Sequence, residues 1–135
     1  MKLEIKLTKQ DNFWITEVPI LDLMTQGKTK KEALEMIQDA VEELLNIKKL
    51  DINIQNLGKE YYLSSQNYEA LIPMILRRQR QKQGLTLKEL ADRVGSSSVN
   101  YFARYEQGRA TPSIIKLLEL LETINPKLGL VLKVI

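Results

Sequence analysis

Two hydrophobic periods, one after the other, constrain this chain more than any other feature. In "KLEIKLTKQDNFWITEVPI" apolar residues alternate at Leu3, Ile5 and Leu7 and again at Phe13 and Ile15, with Gln10, Asp11 and Asn12 between them. Period two puts one side of a strand against a core, so the segment predicts a hairpin with one buried face. A short apolar stretch, Ile20 to Met24, follows Pro19, and then the period changes. In "TQGKTKKEAL" Gly27 allows a tight turn, and Thr29 with Glu32 has the spacing of a capping box. Ala33, Leu34, Ile37, Ala40, Val41, Leu44 and Leu45 then recur every three or four residues, which predicts an amphipathic helix from Lys30 to Asn46 lying on the strands. "LDINI" reads as a further strand, completing a strand, strand, strand, helix, strand unit.

The turn-rich "QNLGKEYYLSSQN", with a possible edge strand at Tyr61 to Leu63, predicts a boundary that divides the chain into 1–63 and 64–135. Beyond it the pattern is helical. "YEALIPMILRRQRQKQG" has helical spacing through Leu71, Ile75 and Leu76, interrupted at Pro73 and closed at Gly84. Thr86 and Glu89 form a second capping box, before a short helix through Leu87, Leu90, Ala91 and Val94 that Gly95 ends. A third helix is expected from Val99 to Glu106, with Val99, Phe102 and Tyr105 in its core. A fourth starts at Pro112 and Ser113, with Ile114, Leu117, Leu118, Leu120, Leu121 and Ile124 nearly all buried. The terminal "LGLVLKVI" has the β-branched character of a strand. The expected class is α+β: a small N-terminal sheet with one long helix, then four to five helices ending in a strand.

Composition narrows the chemistry. The 135 residues hold no cysteine and no histidine, which removes disulfides, thiolate nucleophiles, imidazole bases and the usual zinc ligand sets. No apolar run reaches the roughly 20 residues of a membrane span, and the N-terminus lacks a signal-peptide core, so a cytoplasmic protein without membrane association is expected. Charge is divided unevenly. Residues 1–67 carry nine lysines and eleven acids, a balance of −2, whereas residues 68–135 carry five lysines, six arginines and six acids, a balance of +5. All the arginine lies in the second part, where its planar, multi-donor head suits a phosphate partner.

The second half resembles the Cro and phage-repressor class of helix-turn-helix domain. The likeness rests on "LRRQRQKQGLTLKELADRVG" followed by "YEQGRATPS" and a leucine-rich helix, about Ile72 to Ile124. It implies a structural ion pair between Arg80 and Glu106. It also implies base-facing positions at Ser97, Ser98, Asn100 and Tyr101, with Arg104 and Arg109 near phosphates. The chemistry suits those roles, since an asparagine amide can read adenine with two hydrogen bonds while arginine holds the backbone. Three departures stand out. Leu87 replaces a glutamine that usually touches phosphate, Ala103 replaces a common serine, and Ala91 to Glu106 is one residue longer than usual.

"FWITEVPILDLMTQGKTKKEALEMIQDAVEELL" is similar to the N-terminal segment of HicB antitoxins, with Val18, Pro19, Thr25, Gly27, Thr29, Glu32 and Ala33 carrying the match and "LDLM" replacing the usual P-G-C-like step. The resemblance implies a partial RNase H-like domain that binds and masks a small RNA-cleaving toxin of the HicA type. Asp11, Glu17 and Asp22 are catalytic candidates only by residue type, and no enzyme, metal or cofactor is expected. The expected function is that of an antitoxin that also represses its own operon by binding operator DNA. The protein would be a homodimer joined through Leu130, Val131, Leu132 and Val134 of the terminal strand, and a higher oligomer with toxin is possible. A stand-alone regulator with a ligand- or protein-binding front domain is the alternative. An interaction protein whose helix-turn-helix only dimerises is a third reading.

Overall fold

The computed structural model describes residues 1–46 and 52–135, and the chain divides into two compact units, Met1–Leu71 and Ile72–Ile135. The α+β expectation holds, with a five-stranded antiparallel sheet first and helices after it. The division falls later than the turn-rich segment suggested: residues 63 and 64 lie inside a strand. Among the described residues no helix is long and apolar enough to cross a membrane.

The first unit begins with β1 (Lys2–Gln10) and β2 (Phe13–Val18), the hairpin expected from the alternation. Pro19–Leu21 form one turn of 3-10 helix, Asp22 takes a left-handed backbone, and β3 (Leu23–Gly27) returns along β2. Helix α1 (Lys30–Leu45) follows, then β4 (Ile52–Leu57) and β5 (Glu60–Ser65). Leu50 and Asp51, the first residues of the expected "LDINI" strand, lie outside the described residues. The sheet order is β3-β2-β1-β5-β4. The Tyr61–Leu63 strand is therefore not an edge: β5 pairs with β1 on one side and β4 on the other, because its alternate residues Tyr61 and Leu63 face the same core as Ile5 and Leu3. Helix α1 packs on β2, β3 and β4, burying Ala33, Ile37 and Val41 against a sheet face that includes Leu3, Ile5, Val18, Ile52 and Leu63.

The entry to α1 depends on two residue choices. Thr29 Oγ1 accepts a 3.1 Å bond from the Glu32 amide, and the Glu32 carboxylate accepts in turn from the Lys28 amide, one residue before the cap. Gly27 is required for space, not for a turn: a Cβ there would lie 2.5 Å from the Ala33 nitrogen. Thr25 donates its hydroxyl to the Ala33 carbonyl at 3.3 Å across the same junction.

Helix α2 (Tyr68–Lys82) carries Pro73 in its interior and leads into the second unit. There α3 (Leu87–Arg93), α4 (Asn100–Glu106) and α5 (Ile114–Ile124) surround a core that includes Leu76, Leu90, Phe102, Leu117, Leu120, Leu121 and Ile124. Thr86 and Ser113 cap α3 and α5 by accepting from the Glu89 and Lys116 amides, each at 3.1 Å.

Three expectations need correction. Val99 precedes α4 and is 46% exposed, because the helix starts one residue later and turns this side chain away from the core. Ile114 and its neighbour Ile115 are 73% and 67% exposed, since the first turn of α5 projects beyond the packed helices. The terminal "LGLVLKVI" forms no strand: residues 128–135 pair with no sheet among the described residues, and Val131, Leu132 and Val134 are almost fully exposed. A strand needs a neighbour to receive its amides, and no strand of the sheet is aligned with residues 128–135 among the described residues.

A candidate nucleic-acid interface on the fourth helix

The turn between α3 and α4 is fixed by its backbone. The Gly95 amide bonds the Asp92 carbonyl and the Ser96 amide bonds that of Ala91, at 3.1 and 2.9 Å, with Gly95 at φ +70°. This is a Schellman ending, which needs a residue able to adopt the left-handed conformation. The serines then carry the chain into the next helix. Ser96 Oγ accepts from the Ser98 amide and Ser98 Oγ from the Asn100 amide, both at 3.2 Å. Ser98 is thus committed to local structure, while Ser97 is exposed.

Helix α4 has two unlike faces. Phe102, Ala103, Tyr105 and Glu106 are buried, whereas Asn100, Arg104 and Gln107 are exposed on the opposite stripe. Asn100 is the first helical residue, where its amide projects clear of the packed helices. Arg104 lies with its guanidinium 4.8 Å from the Tyr105 ring centre and donates to the Tyr105 hydroxyl at 3.3 Å, so its planar head is held at the surface. Arg109 is exposed just beyond Gly108, with its amide bonded to the Arg104 carbonyl at 2.8 Å.

Tyr101 is less free than the other candidates. Its ring is half-buried and tilted against Phe102, and its hydroxyl accepts from Lys116 Nζ at 3.1 Å. Lys116 was not among the candidates read from the sequence. The only signal for it is that α5, "IIKLLELLETI", contains a single cation. Its ammonium also pairs with Glu119 at 2.9 Å, and hydrogen bonding to Glu119 first, then to Tyr101, holds its pKa well above the ordinary lysine value of 10.5. Whatever this raised pKa contributes to stability is fully present below 10.5 and is lost only as pH rises through the folded-state value.

Behind this surface a buried ion pair fixes α4 to α2. Arg80 meets both Glu106 oxygens, at 2.7 and 3.0 Å, and donates to the Leu85 carbonyl at 2.8 Å. Arg77 adds a 3.3 Å bond to the Glu106 carbonyl. Arg93 secures the other end of the unit, donating to the Thr123 and Ile124 carbonyls at the close of α5. The carboxylates considered for catalysis are dispersed: Asp11 is in the β1–β2 turn, Glu17 on β2 beside Lys6, and Asp22 after the 3-10 turn. Among the described residues no group of three or more acidic side chains is placed to hold a metal ion.

Residues 76–127 match the helix-turn-helix family model, a span from within α2 to just past α5. The match supports DNA binding and a role in transcription regulation. It includes none of the first unit. No curated protein matches the chain.

Proposed function

We propose that this chain is an antitoxin of the HicB type, whose first unit masks a small RNA-cleaving toxin of the HicA type and whose helix-turn-helix represses the operon encoding both. The observation that carries the reading is the junction of β3 with α1. Thr25, Gly27, Thr29, Glu32 and Ala33, most of the residues behind the HicB resemblance, meet one another there through a close backbone approach and three hydrogen bonds. A regulatory helix-turn-helix on the same chain supports the operon half of the proposal. The action is binding, not catalysis, and it takes place in the cytoplasm. The acidic balance of the front segment suits a basic, RNA-binding partner, since complementary charge speeds association and favours the right partner.

On DNA, α4 enters the major groove. Asn100 and Ser97 read base edges, Tyr101 is positioned by Lys116, and Arg104 and Arg109 hold phosphates. Two copies, joined through Leu130, Val131, Leu132 and Val134, address half-sites about one helical turn apart. The test has two arms. Co-expression with the neighbouring small gene followed by affinity capture should recover a stable pair, and its absence would remove the toxin-masking role. Retardation of the chain's own promoter should weaken with salt and fall by about tenfold or more in Asn100→Ala with Arg104→Ala; unaltered binding would sink the assignment of α4.

A further inference from the structure

The contact between Tyr101 and Lys116 has a direction that chemistry fixes. An ammonium carries three protons and no lone pair, so at 3.1 Å Lys116 Nζ donates and the Tyr101 oxygen accepts. Glu119, one turn along α5, holds the same ammonium at 2.9 Å. Lys116 is thereby anchored from two sides, and its raised pKa keeps it charged well above neutral pH.

The consequence falls on the phenol proton. A free hydroxyl rotates and serves as donor or acceptor as its partner requires, but Tyr101 cannot give its proton to Lys116, and the positive charge turns that proton away. Among the described residues no acceptor takes it. Tyr101 is the second residue of α4, half-buried, next to exposed Asn100 and one turn before exposed Arg104. Major-groove edges answer such a donor unequally. Guanine offers N7 and O6, adenine N7 and thymine O4 as acceptors, whereas cytosine offers only its amino group. A rotating hydroxyl tolerates all four bases; one held as a donor meets a second donor at cytosine, and neither is satisfied.

We propose that Lys116 is a positioning residue that sets base specificity through Tyr101: it holds the Tyr101 hydroxyl as a one-way hydrogen-bond donor, which admits guanine, adenine or thymine at one operator position and rejects cytosine. This specificity presupposes the proposed entry of α4 into the major groove, and it is independent of toxin capture by the first unit.

The test is retardation of the chain's own promoter fragment by the full chain, repeated over a series in which each operator base is exchanged for the other three. At one position of each half-site, cytosine should bind about tenfold more weakly than the other bases. Tyr101→Phe should erase that difference, because it has no proton to place. Lys116→Met should relax it by raising affinity for the cytosine fragment toward the rest, a gain that loss of structure does not produce. Lys116→Arg, which also only donates, should retain the rejection. Should Lys116→Met melt below the parent by circular dichroism, Lys116→Gln provides the same reading, since its amide can also accept the proton. The proposal is overturned if the parent binds its promoter while Tyr101→Phe keeps the parent's preference at every position, or weakens all sequences equally as loss of a phosphate contact would; the groove reading then stands. Cytosine rejection that persists in the Lys116→Met and Lys116→Gln variants would overturn it too. A parent that fails to retard its promoter even at low salt would remove the groove reading and this specificity together.

Discussion

Glu106 is 4% exposed and has given up its water for two arginines, one of which, Arg80, matches both carboxylate oxygens. Such a pair adds little net stability over an apolar substitute, but breaking it leaves a charge without compensation in a poorly solvated place. Glu106→Gln should therefore destabilise the helical unit by about 3 kcal/mol, seen as a lower urea midpoint in the helical signal. Thr16 presents the opposite case. It is fully buried, and among the described residues its hydroxyl has no hydrogen-bond partner. Thr16→Val removes the unsatisfied group and keeps the branched shape, so it should raise stability by about 1 kcal/mol; a fall on thermal melting would mean that the hydroxyl has a role the fold does not reveal. Residue type alone foretells neither Thr16 nor the exposed Val99 and Ile114. Whether a side chain is buried depends on where a helix begins relative to its neighbours, and a shift of one residue turns it through about 100°.

Element boundaries were the most legible feature. Thr29, Thr86 and Ser113 each satisfy an amide that the following helix would leave bare, and α1, α3 and α5 start beside them. The chemistry of a cap is local, so it can be read locally. Strand order cannot, which is why β5 looked like an edge and lies next to the sheet's centre. At the candidate interface, the Arg80–Glu106 spacing and the outward stripe of α4 were legible, whereas Lys116 reaches Tyr101 from another helix and leaves no mark in the α4 sequence. Gly27 shows how a right residue can be chosen for the wrong reason. Gly27→Ala should cost about 1–3 kcal/mol in the sheet unit, because the first turn of α1 must retreat from β3. Near-native stability would mean that the junction yields more easily than its backbone approach suggests.

For the molecule as a whole, the uncovered apolar surface is concentrated on the C-terminal tail and the start of α5. Leu130, Val131, Leu132, Val134 and Ile135 are all exposed, as are Ile114 and Ile115. Period two in "LGLVLKVI" specifies what the tail can pair with, not whether a partner is present, and a second copy is the partner that the proposed dimer supplies. Deleting Leu130–Ile135 should halve the mass measured by light scattering and weaken operator binding, while the helical signal persists. An unchanged mass would place the dimer contact elsewhere.

The pairing of β1 with β5 sets an order on biosynthesis. Lys2 meets Ser64 and Ile5 meets Tyr61, so the first strand of the unit waits for the last one before the sheet can join. Until then the β1–β2 hairpin, with its unmatched edge, has nothing on one side, and long-range pairing of this kind is the slow step of sheet formation. The helices that follow pack with close sequence neighbours and fold on a shorter clock. A nascent chain halted before Glu60 would thus present an open β-edge and no finished unit at all.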